Sequence, residues 1–342
     1  MTKADAMNTP SNSAALDTEI DALLDGAGLA DLSARTQIEV SGTDRASFLH
    51  NLSTNEIRKL KPGGGCEAFF CDARGHIQAH AYIYCREQSL VIESVPGAPE
   101  VLMPHLDRYL IREDVQLTDR SSECCELLLA GPRSGELLAR LSGVDPAALT
   151  GRVATVEASL AGNYVQIRRF DFAGPHSFAI VGANGVRDGI WIALRALGAT
   201  PCGDQAIEVM RIAAGSPLFG IDITPRNLPQ EVARDDRTIS FVKGCYLGQE
   251  TVARIDALGH VNRLLCGLRF NLAGAGDLPA AAGMTLTVGG QSVGEITSAA
   301  RSTRLGQVGL GYVRREHATP GSRLDSPAGA VEVATLPQFG GG

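Results

Sequence analysis

At 342 residues the chain is too long for one ordinary hydrophobic core, and it predicts two or three compact units. Its residues are 44% hydrophobic and 20% charged, which is typical of a soluble globular protein. A net charge of −7 argues against strong direct nucleic-acid binding, which generally needs a basic surface. No apolar run approaches the ~20 residues of a bilayer-spanning helix, so we expect no membrane partner.

The first 28 residues predict a tail and a short helix. Residues 1–15 are predicted to be disordered, and residues 16–29 have the spacing of an amphipathic helix through Leu16, Ile20, Leu23 and Leu24. The segment contains acidic residues and has no long apolar run, so it resembles neither a secretory signal nor a basic transit peptide. We therefore predict a cytoplasmic location.

Residues 29–120 predict a first α+β unit. The expected elements are, in order, a strand at 31–41, a helix that Asp44 begins, strands at 66–71, 77–85 and 90–94, and a helix at 99–110. The tetrapeptide Asp72-Ala73-Arg74-Gly75 favours a hairpin turn between the second and third strands. This order is typical of an antiparallel sheet with helices on one face.

Two further units follow. Residues 121–204 predict a second α+β unit, and residues 205–258 are expected to complete the first. Residues 259–342 contain short strands separated by Gly and Pro, with Gly289-Gly290 as a two-residue hairpin signal. This last stretch predicts a small all-β barrel.

The eight cysteines predict free thiols rather than disulfides, because no Cys-x-x-Cys pair exists and the location is predicted to be reducing. No metal site is expected, because thiolate ligands usually come in tighter clusters. Most of the cysteines have apolar neighbours that predict buried or half-buried positions. Cys245 is different.

Cys245 lies in the stretch KGCYLGQE (residues 243–250), which places an ammonium, a thiol, an amide and a carboxylate within eight residues. Residues 249–255 predict a helix, so Cys245 is expected at or just before a helix N-terminus, where unpaired N–H groups favour an anion. With Lys243 two residues away, the thiol is expected to ionise more easily than a free one. The alternative is a strand-to-helix turn with a buried structural cysteine.

Several stretches resemble one protein family, in the order expected for it. KGCYLGQE resembles the signature of the YgfZ-type folate-binding proteins, a branch of the glycine-cleavage T-protein (aminomethyltransferase) superfamily. The other similar blocks are residues 40–55, Arg211-Ile212-Ala213-Ala214-Gly215, Phe219-Gly220-Ile221-Asp222, Leu228-Pro229-Gln230-Glu231 and residues 293–298. The resemblance covers nearly all of the chain beyond about residue 28. It implies an α+β fold in which two related α+β domains and the barrel form a clover around a central folate channel.

The resemblance also implies a cofactor, tetrahydrofolate or a one-carbon derivative, and places its contacts. Glu231 matches the superfamily position whose acid binds the pterin edge. The other implied contacts lie in the signature and the helix after it: Lys243, Gly244, Tyr246, Gly248, Gln249, Glu250 and Arg254. Lys243 is expected to hold an anionic part of the ligand or to activate Cys245. Gln249 and Glu250 are also consistent with bracing the loop, and Arg254 with pairing to a surface acid.

One departure from the family concerns the strand after Gly75. Aminomethyltransferases carry a catalytic aspartate just past this turn, whereas the chain has His76-Ile77-Gln78-Ala79-His80 and no carboxylate. His80 is either a substitute proton carrier or a packed strand residue. We therefore do not expect a conventional aminomethyltransferase, although the predicted fold is that of one.

Two functions follow from the resemblance. The first is a folate-binding accessory protein that supports assembly or repair of iron–sulfur enzymes, including those that modify tRNA; its partners would be iron–sulfur enzymes or their assembly proteins. The second is a folate-dependent aminomethyl or methyl transferase, or a demethylase, because fold alone does not determine chemistry.

Overall fold

The computed structural model describes residues 13–270 and 279–339, apart from the side chains at positions 13 and 258. Its helices are α1 (Ser13–Asp25), α2 (Arg45–Leu52), α3 (Pro99–Asp107), α4 (Ser134–Ser142), α5 (Arg187–Ala196), α6 (Asp204–Ala214), α7 (Asp235–Thr238) and α8 (Gln249–Leu258). Most of the tail predicted to be disordered lies outside the described residues, and α1 begins three positions before the predicted residue 16.

The strands fall into two sheets and a barrel. They are β1 (Gly28–Asp31), β2 (Thr36–Ser41), β3 (Gly65–Cys71), β4 (Ile77–Cys85), β5 (Leu90–Ser94), β6 (Gln116–Asp119), β7 (Cys124–Ala130), β8 (Thr155–Leu160), β9 (Asn163–Arg169), β10 (Ser177–Ala183), β11 (Thr200–Pro201), β12 (Arg263–Phe270), β13 (Thr285–Val288), β14 (Gln291–Ser302), β15 (Gly306–Arg314), β16 (Arg323–Ser326) and β17 (Gly329–Ala334). The predicted α+β architecture with a small C-terminal barrel is confirmed.

The first sheet has the order β3-β4-β5-β2-β6, and all its neighbouring strands are antiparallel. Helices α2 and α3 bury their apolar sides on it, with Leu49 and Leu102 packed in one cluster with Ile38, Ile83 and Ile92. Alternate strand residues point to the same face, so β2, β4 and β5 each contribute to this layer. The antiparallel layer with helices is therefore as predicted.

The second sheet has the order β11-β1-β7-β10-β9-β8 and includes a strand that sequence analysis placed elsewhere. Residues 31–41 do not form one strand, and residues 29–31 do not belong to the first unit. Strand β1 ends at Asp31, whose Oδ1 accepts a hydrogen bond from the Ser33 N–H at 2.9 Å. This turn redirects the chain towards the first sheet, where β2 begins.

The barrel closes in the order β12-β15-β14-β13-β16-β17, with β17 returning to β12. Gly289 and Gly290 join β13 to β14 with φ values of +57° and +80°. Two consecutive residues with positive φ are the geometry of a tight hairpin, and glycine adopts it without strain. The predicted two-residue turn is confirmed.

A buried cluster of charged side chains joins the two sheets. Glu93 on β5 accepts from Arg168 on β9 at 2.7 Å and from Arg35 at 3.0 Å. Glu126 on β7 accepts from the Gln37 amide at 2.9 Å. Burial and then the nearby charge of Glu93 raise the pKa of Glu126 to about 8, although the two arginines act in the opposite direction.

Within the described parts of the chain, no helix is long and apolar enough to cross a membrane.

Candidate functional site

The Lys243 ammonium, which begins the KGCYLGQE loop, is buried at the end of α2. Its Nζ donates to the backbone oxygens of His50, Ser53 and Asn55 at 2.5, 2.6 and 2.8 Å. A cation is favourable at a helix C-terminus, where carbonyl groups lack helical partners. Burial lowers the pKa of Lys243 to about 8. All three N–H donors of the ammonium are therefore used in hydrogen bonds to backbone oxygens. The ammonium is buried and has no donor left for the Cys245 thiol or for a ligand.

Tyr246 and Gln249 fix the middle of the loop. The Tyr246 ring is buried with Ile239 and Val252, and its centroid lies 4.7 Å from the Lys243 Nζ. The Gln249 side-chain oxygen accepts from the Tyr246 N–H at 3.2 Å. Gln249 thus braces the loop, which is one of the two roles considered for it.

Gly248 and the hairpin turn at residues 72–75 are packed backbone against backbone. Gly248 has a φ of +82°, and a Cβ there would lie 2.5 Å from the Asp72 carbonyl oxygen. In return, a Cβ at Gly75 would lie 2.9 Å from the Thr251 Cβ. Both positions require glycine for steric reasons. The turn and the signature loop are therefore one structural unit.

Cys245 is exposed, although Lys243 and Tyr246 close to it in the loop are buried. Of the eight cysteines, all of which lie in the described ranges, the other seven are buried or half-buried. Gly244 beside it has no atom within 4 Å of a hypothetical Cβ. Helix α8 begins at Gln249, as predicted, with Gly248 as its N-cap, so Cys245 lies three residues before the cap. The loop therefore presents this thiol to solvent between the buried Lys243 and Tyr246 side chains.

Glu250 and Arg254, on the first turns of α8, are also exposed, and neither side chain makes a hydrogen bond or ion pair with any residue in the described ranges.

Glu231 connects the loop region to the barrel. Its carboxylate accepts two hydrogen bonds from Arg263 on β12, at 3.0 and 3.1 Å, and one from the Asn227 amide at 3.2 Å. The Arg263 guanidinium lies 4.8 Å from the centroid of the Tyr312 ring. The acid predicted to bind the pterin edge is therefore hydrogen-bonded within the protein.

A buried cluster of three ionisable side chains, Glu67, His80 and Arg234, was only partly expected from the sequence. His80 Nε2 lies 2.7 Å from Glu67 Oε1, and Arg234 holds both oxygens of Glu67 at 2.7 and 2.9 Å. Burial alone would raise the pKa of Glu67, but Arg234 and His80 outweigh it and hold that pKa far below its usual range. The ionised form of Glu67 is therefore favoured, which makes Glu67 a poor proton acceptor.

Sequence reasoning considered His80 and missed Glu67 and Arg234. The available signals were an acid within the otherwise apolar run of β3 and an arginine three residues after Glu231. A buried acid predicts a cationic partner, but which arginine it pairs with depends on the tertiary fold.

A cavity of about 510 Å³, which we call the Asn55 cavity, lies next to this group. Asn55, Glu67, Asp171 and Arg237 line it together with the exposed Lys61. The Asn55 amide donates to the backbone oxygens of Glu67 and Arg237, while its own backbone oxygen accepts from Lys243. Asn55 thus connects the signature loop to the cavity wall.

In the described residues, no group of three or more His, Cys, Asp or Glu side chains has the arrangement of a metal site.

Comparison with known families gives matches over most of the sequence. Residues 4–241 match the GCVT N-terminal domain family, and residues 263–336 match the glycine cleavage T-protein C-terminal barrel domain. A putative chloroplastic transferase of Arabidopsis thaliana is 31% identical over 312 residues, which cover 90% of this chain and 70% of the relative. An aminomethyltransferase of Streptomyces avermitilis is 29% identical, covering 86% of this chain and 80% of that enzyme.

The fold has a solved counterpart. The crystal structure of the glycine cleavage system aminomethyltransferase T of Bartonella henselae matches with a TM-score of 0.80 at 23% identity. The match covers 94% of this chain and 89% of the other, so both sheets and the barrel are included. Aminomethyltransferases of this kind use tetrahydrofolate.

Proposed function

The chain belongs to the glycine cleavage T-protein family, and on that premise we propose that it is a YgfZ-type accessory protein that binds tetrahydrofolate or a one-carbon derivative. Its role would be to support the assembly or repair of iron–sulfur enzymes, including those that modify tRNA. The observation that carries the proposal is the exposed Cys245 thiol. It lies in a loop that is held to the rest of the protein by contacts of Lys243, Tyr246 and Gly248.

The one acid that is hydrogen-bonded to His80 among the described residues is already engaged, which supports an accessory role over aminomethyl transfer. The carboxylate nearest this histidine in the hydrogen-bond network is Glu67, and both of its oxygens are held by Arg234. A general base needs a free lone pair and a pKa near the working pH. Glu67 is buried, accepts three hydrogen bonds from His80 and Arg234, and has its pKa held far below the usual range, so it is a poor general base.

We place the folate in the Asn55 cavity. Its volume of about 510 Å³ is in the range of small-molecule sites, and its wall includes residue 55 from one of the blocks that resemble the family. Lys61 at its edge would favour an anionic tail. Arg237, which is paired with Asp171, would help Lys61 to orient the cofactor, and the bound folate would supply the one-carbon carrier.

A second function, a folate-dependent aminomethyl or methyl transferase or a demethylase, has one observation in its favour. His80 is hydrogen-bonded to a carboxylate, and such a pair can orient an imidazole for proton transfer. Against this, the histidine is only 6% exposed, so a substrate has little access to its other ring nitrogen.

Three measurements on the same protein test the proposal. Calorimetric titration should show saturable binding of tetrahydrofolate. The Cys245→Ser variant should bind it with similar affinity yet fail to restore iron–sulfur enzyme activities in cells that lack this protein. Tetrahydrofolate-dependent turnover of an aminomethyl donor should be absent. Full complementation by Cys245→Ser would show that the thiol has no chemical role, and robust turnover would favour the transferase.

A separate pair of variants tests whether Glu231 binds the pterin or only pairs with Arg263. If its carboxylate binds the pterin, Glu231→Ala weakens folate binding roughly 30- to 150-fold, as expected for loss of a charge-assisted bidentate contact. Arg263→Gln breaks the same ion pair from the other side while leaving the carboxylate in place. Equal losses for both variants would assign Glu231 to the clamp between loop and barrel instead.

A further inference from the structure

A second cavity, of about 580 Å³, lies where α1, α6, the second sheet and the barrel meet, and we call it the Gln338 cavity. It shares no lining residue with the Asn55 cavity. Leu23, Met210, Leu305 and Phe339 give it apolar walls. A volume of this size accommodates a small organic molecule.

Gln338 and Phe339 line the Gln338 cavity, and the segment at residues 336–339 packs closely against two glycines. A Cβ at Gly267 would lie 2.7 Å from Leu336 Cδ2 and 3.0 Å from Gln338 Nε2. A Cβ at Gly174 would lie 3.0 Å from the Phe339 ring. The glycines leave just enough space for this segment, so the position of the Gln338 side chain is sterically defined.

Two buried polar side chains in the cavity wall have no partner. Gln338 is 2% exposed, and neither its Oε1 nor its Nε2 makes a hydrogen bond to any described residue. The Ser177 hydroxyl, in a residue 1% exposed, also has none. Unpaired buried polar groups are costly and therefore rare, and two in one cavity wall indicate a polar ligand.

The cavity also contains an uncompensated positive charge. Arg269 on β12 is half-buried, and its guanidinium makes no hydrogen bond or ion pair to any residue within the described ranges, including the side chain of its cross-strand neighbour Glu332. The second arginine, Arg304, is already paired with Asp21 and Asp25 at 2.5 and 2.8 Å. The acid in the wall, Asp25, is thereby neutralised, and Arg269 remains available for an anion.

We propose that the Gln338 cavity binds a small carboxylate that carries an amide next to an apolar or aromatic body, as an N-acyl amino acid does. Arg269 would hold the carboxylate, and the Gln338 side chain would donate to the amide oxygen and accept from the amide N–H. Ser177 would supply a third hydrogen bond, and Phe339 a surface for the apolar body. The site does not depend on the proposed folate function.

Two natural sources share this chemistry: a free N-acyl amino acid, and the p-aminobenzoylglutamate end of a folate. The probes are therefore hippurate (N-benzoylglycine), p-aminobenzoylglutamate and tetrahydrofolate, each titrated calorimetrically into the full chain. The variants are Arg269→Gln, Gln338→Met and Ser177→Ala. Arg323→Gln is the matched control, because Arg323 is an exposed barrel arginine outside the cavity.

Hippurate should bind saturably to the wild-type chain and to the control variant. Affinity should fall about tenfold for Arg269→Gln and about fivefold for Gln338→Met. Ser177→Ala should weaken binding without lowering the melting temperature, because the hydroxyl has no partner to lose. This combination distinguishes a ligand contact from a structural role.

The tetrahydrofolate arm identifies the source. If the same variants weaken tetrahydrofolate binding, the site takes the tail of a folate; if they leave it unchanged, the ligand is a free N-acyl amino acid. The proposal is overturned if neither hippurate nor p-aminobenzoylglutamate binds saturably at millimolar concentrations. It is equally overturned if the Arg269 and Gln338 variants bind hippurate as the control does.

Discussion

Gly248 lies so close to Asp72 that a Cβ at position 248 would be 2.5 Å from the Asp72 carbonyl oxygen and 3.0 Å from the Gly75 Cα. Both contacts are to backbone, which cannot move aside as the end of a long side chain can. The KGCYLGQE loop and the hairpin turn at residues 72–75 are thus held together by glycines. The conformation of each depends on the other.

Gly248→Ala should therefore destabilise the chain by about 2 kcal/mol or more, since it adds both a clash and a strained positive φ. Gly244→Ala, four residues away in the same loop, meets nothing within 4 Å and should change stability by less than about 0.5 kcal/mol. Urea denaturation of both variants measures the difference. Equal stabilities would show that the loop and hairpin do not support each other.

Much of the fold was predictable because its signals are local. The Gly289-Gly290 hairpin, the turn at Asp72–Gly75 and the strand at 90–94 are each encoded within a few neighbouring residues. The switch of β1 into the second sheet was not predictable in this way. It depends on pairing with β7 almost a hundred residues later, and the four-residue strand has no periodicity of its own.

The sequence indicated which side chains of the candidate site are chemically unusual, but it did not indicate which groups they contact. Lys243 was identified as important, yet its partners are backbone oxygens 188–193 residues earlier, and a backbone carbonyl has no sequence signature. The partner of Glu231 is likewise an arginine on another unit. A sequence shows which side chains are chemically unusual, whereas the fold decides whether a ligand or the protein itself satisfies them.

Removal of the Lys243 ammonium should cost more stability than removal of any exposed lysine. Lys243→Met leaves three backbone oxygens at the end of α2 without their donor, and we expect a loss of about 3 kcal/mol. Lys61→Met is the control, because the Lys61 side chain is exposed and should contribute less than about 0.5 kcal/mol. Chemical denaturation compares them. A loss in Lys243→Met no greater than that in the control would mean that the carbonyl cage does not stabilise the fold.

The pH dependence of stability should contain a term from Glu126. Burial first, and then the charge of Glu93, raise its pKa from 4.5 to about 8 in the folded chain. Between these values the folded state binds more protons than the unfolded state, so stability should fall as pH rises through this window. The slope from one group is at most about 1.4 kcal/mol per pH unit.

Glu126→Gln removes this titration and keeps an amide of similar shape next to Gln37 and Arg35. The free energy of unfolding of the variant, relative to wild type, should therefore rise from pH 5 to pH 8. Glu332→Gln, at an exposed barrel position, should track the wild type at every pH. Parallel curves for Glu126→Gln and wild type would show that Glu126 is already ionised throughout this range.

Cys245 should be the cysteine that alkylates fastest at neutral pH. Burial raises the pKa of Cys66, Cys202 and Cys266 to about 12, and it also raises the pKa of the remaining buried or half-buried thiols: Cys71, Cys85, Cys124 and Cys125. Only a thiolate reacts efficiently, and a reagent must also reach it. Cys245 satisfies the second condition because it is exposed. Peptide mass spectrometry after timed iodoacetamide treatment should show its modification first, and Cys245→Ser should abolish the fast phase.

Bound tetrahydrofolate should slow the alkylation of Cys245 if the ligand covers the loop. Faster modification of any other cysteine would mean that the loop protects Cys245 in solution, and the proposed role of its thiol would lose its support.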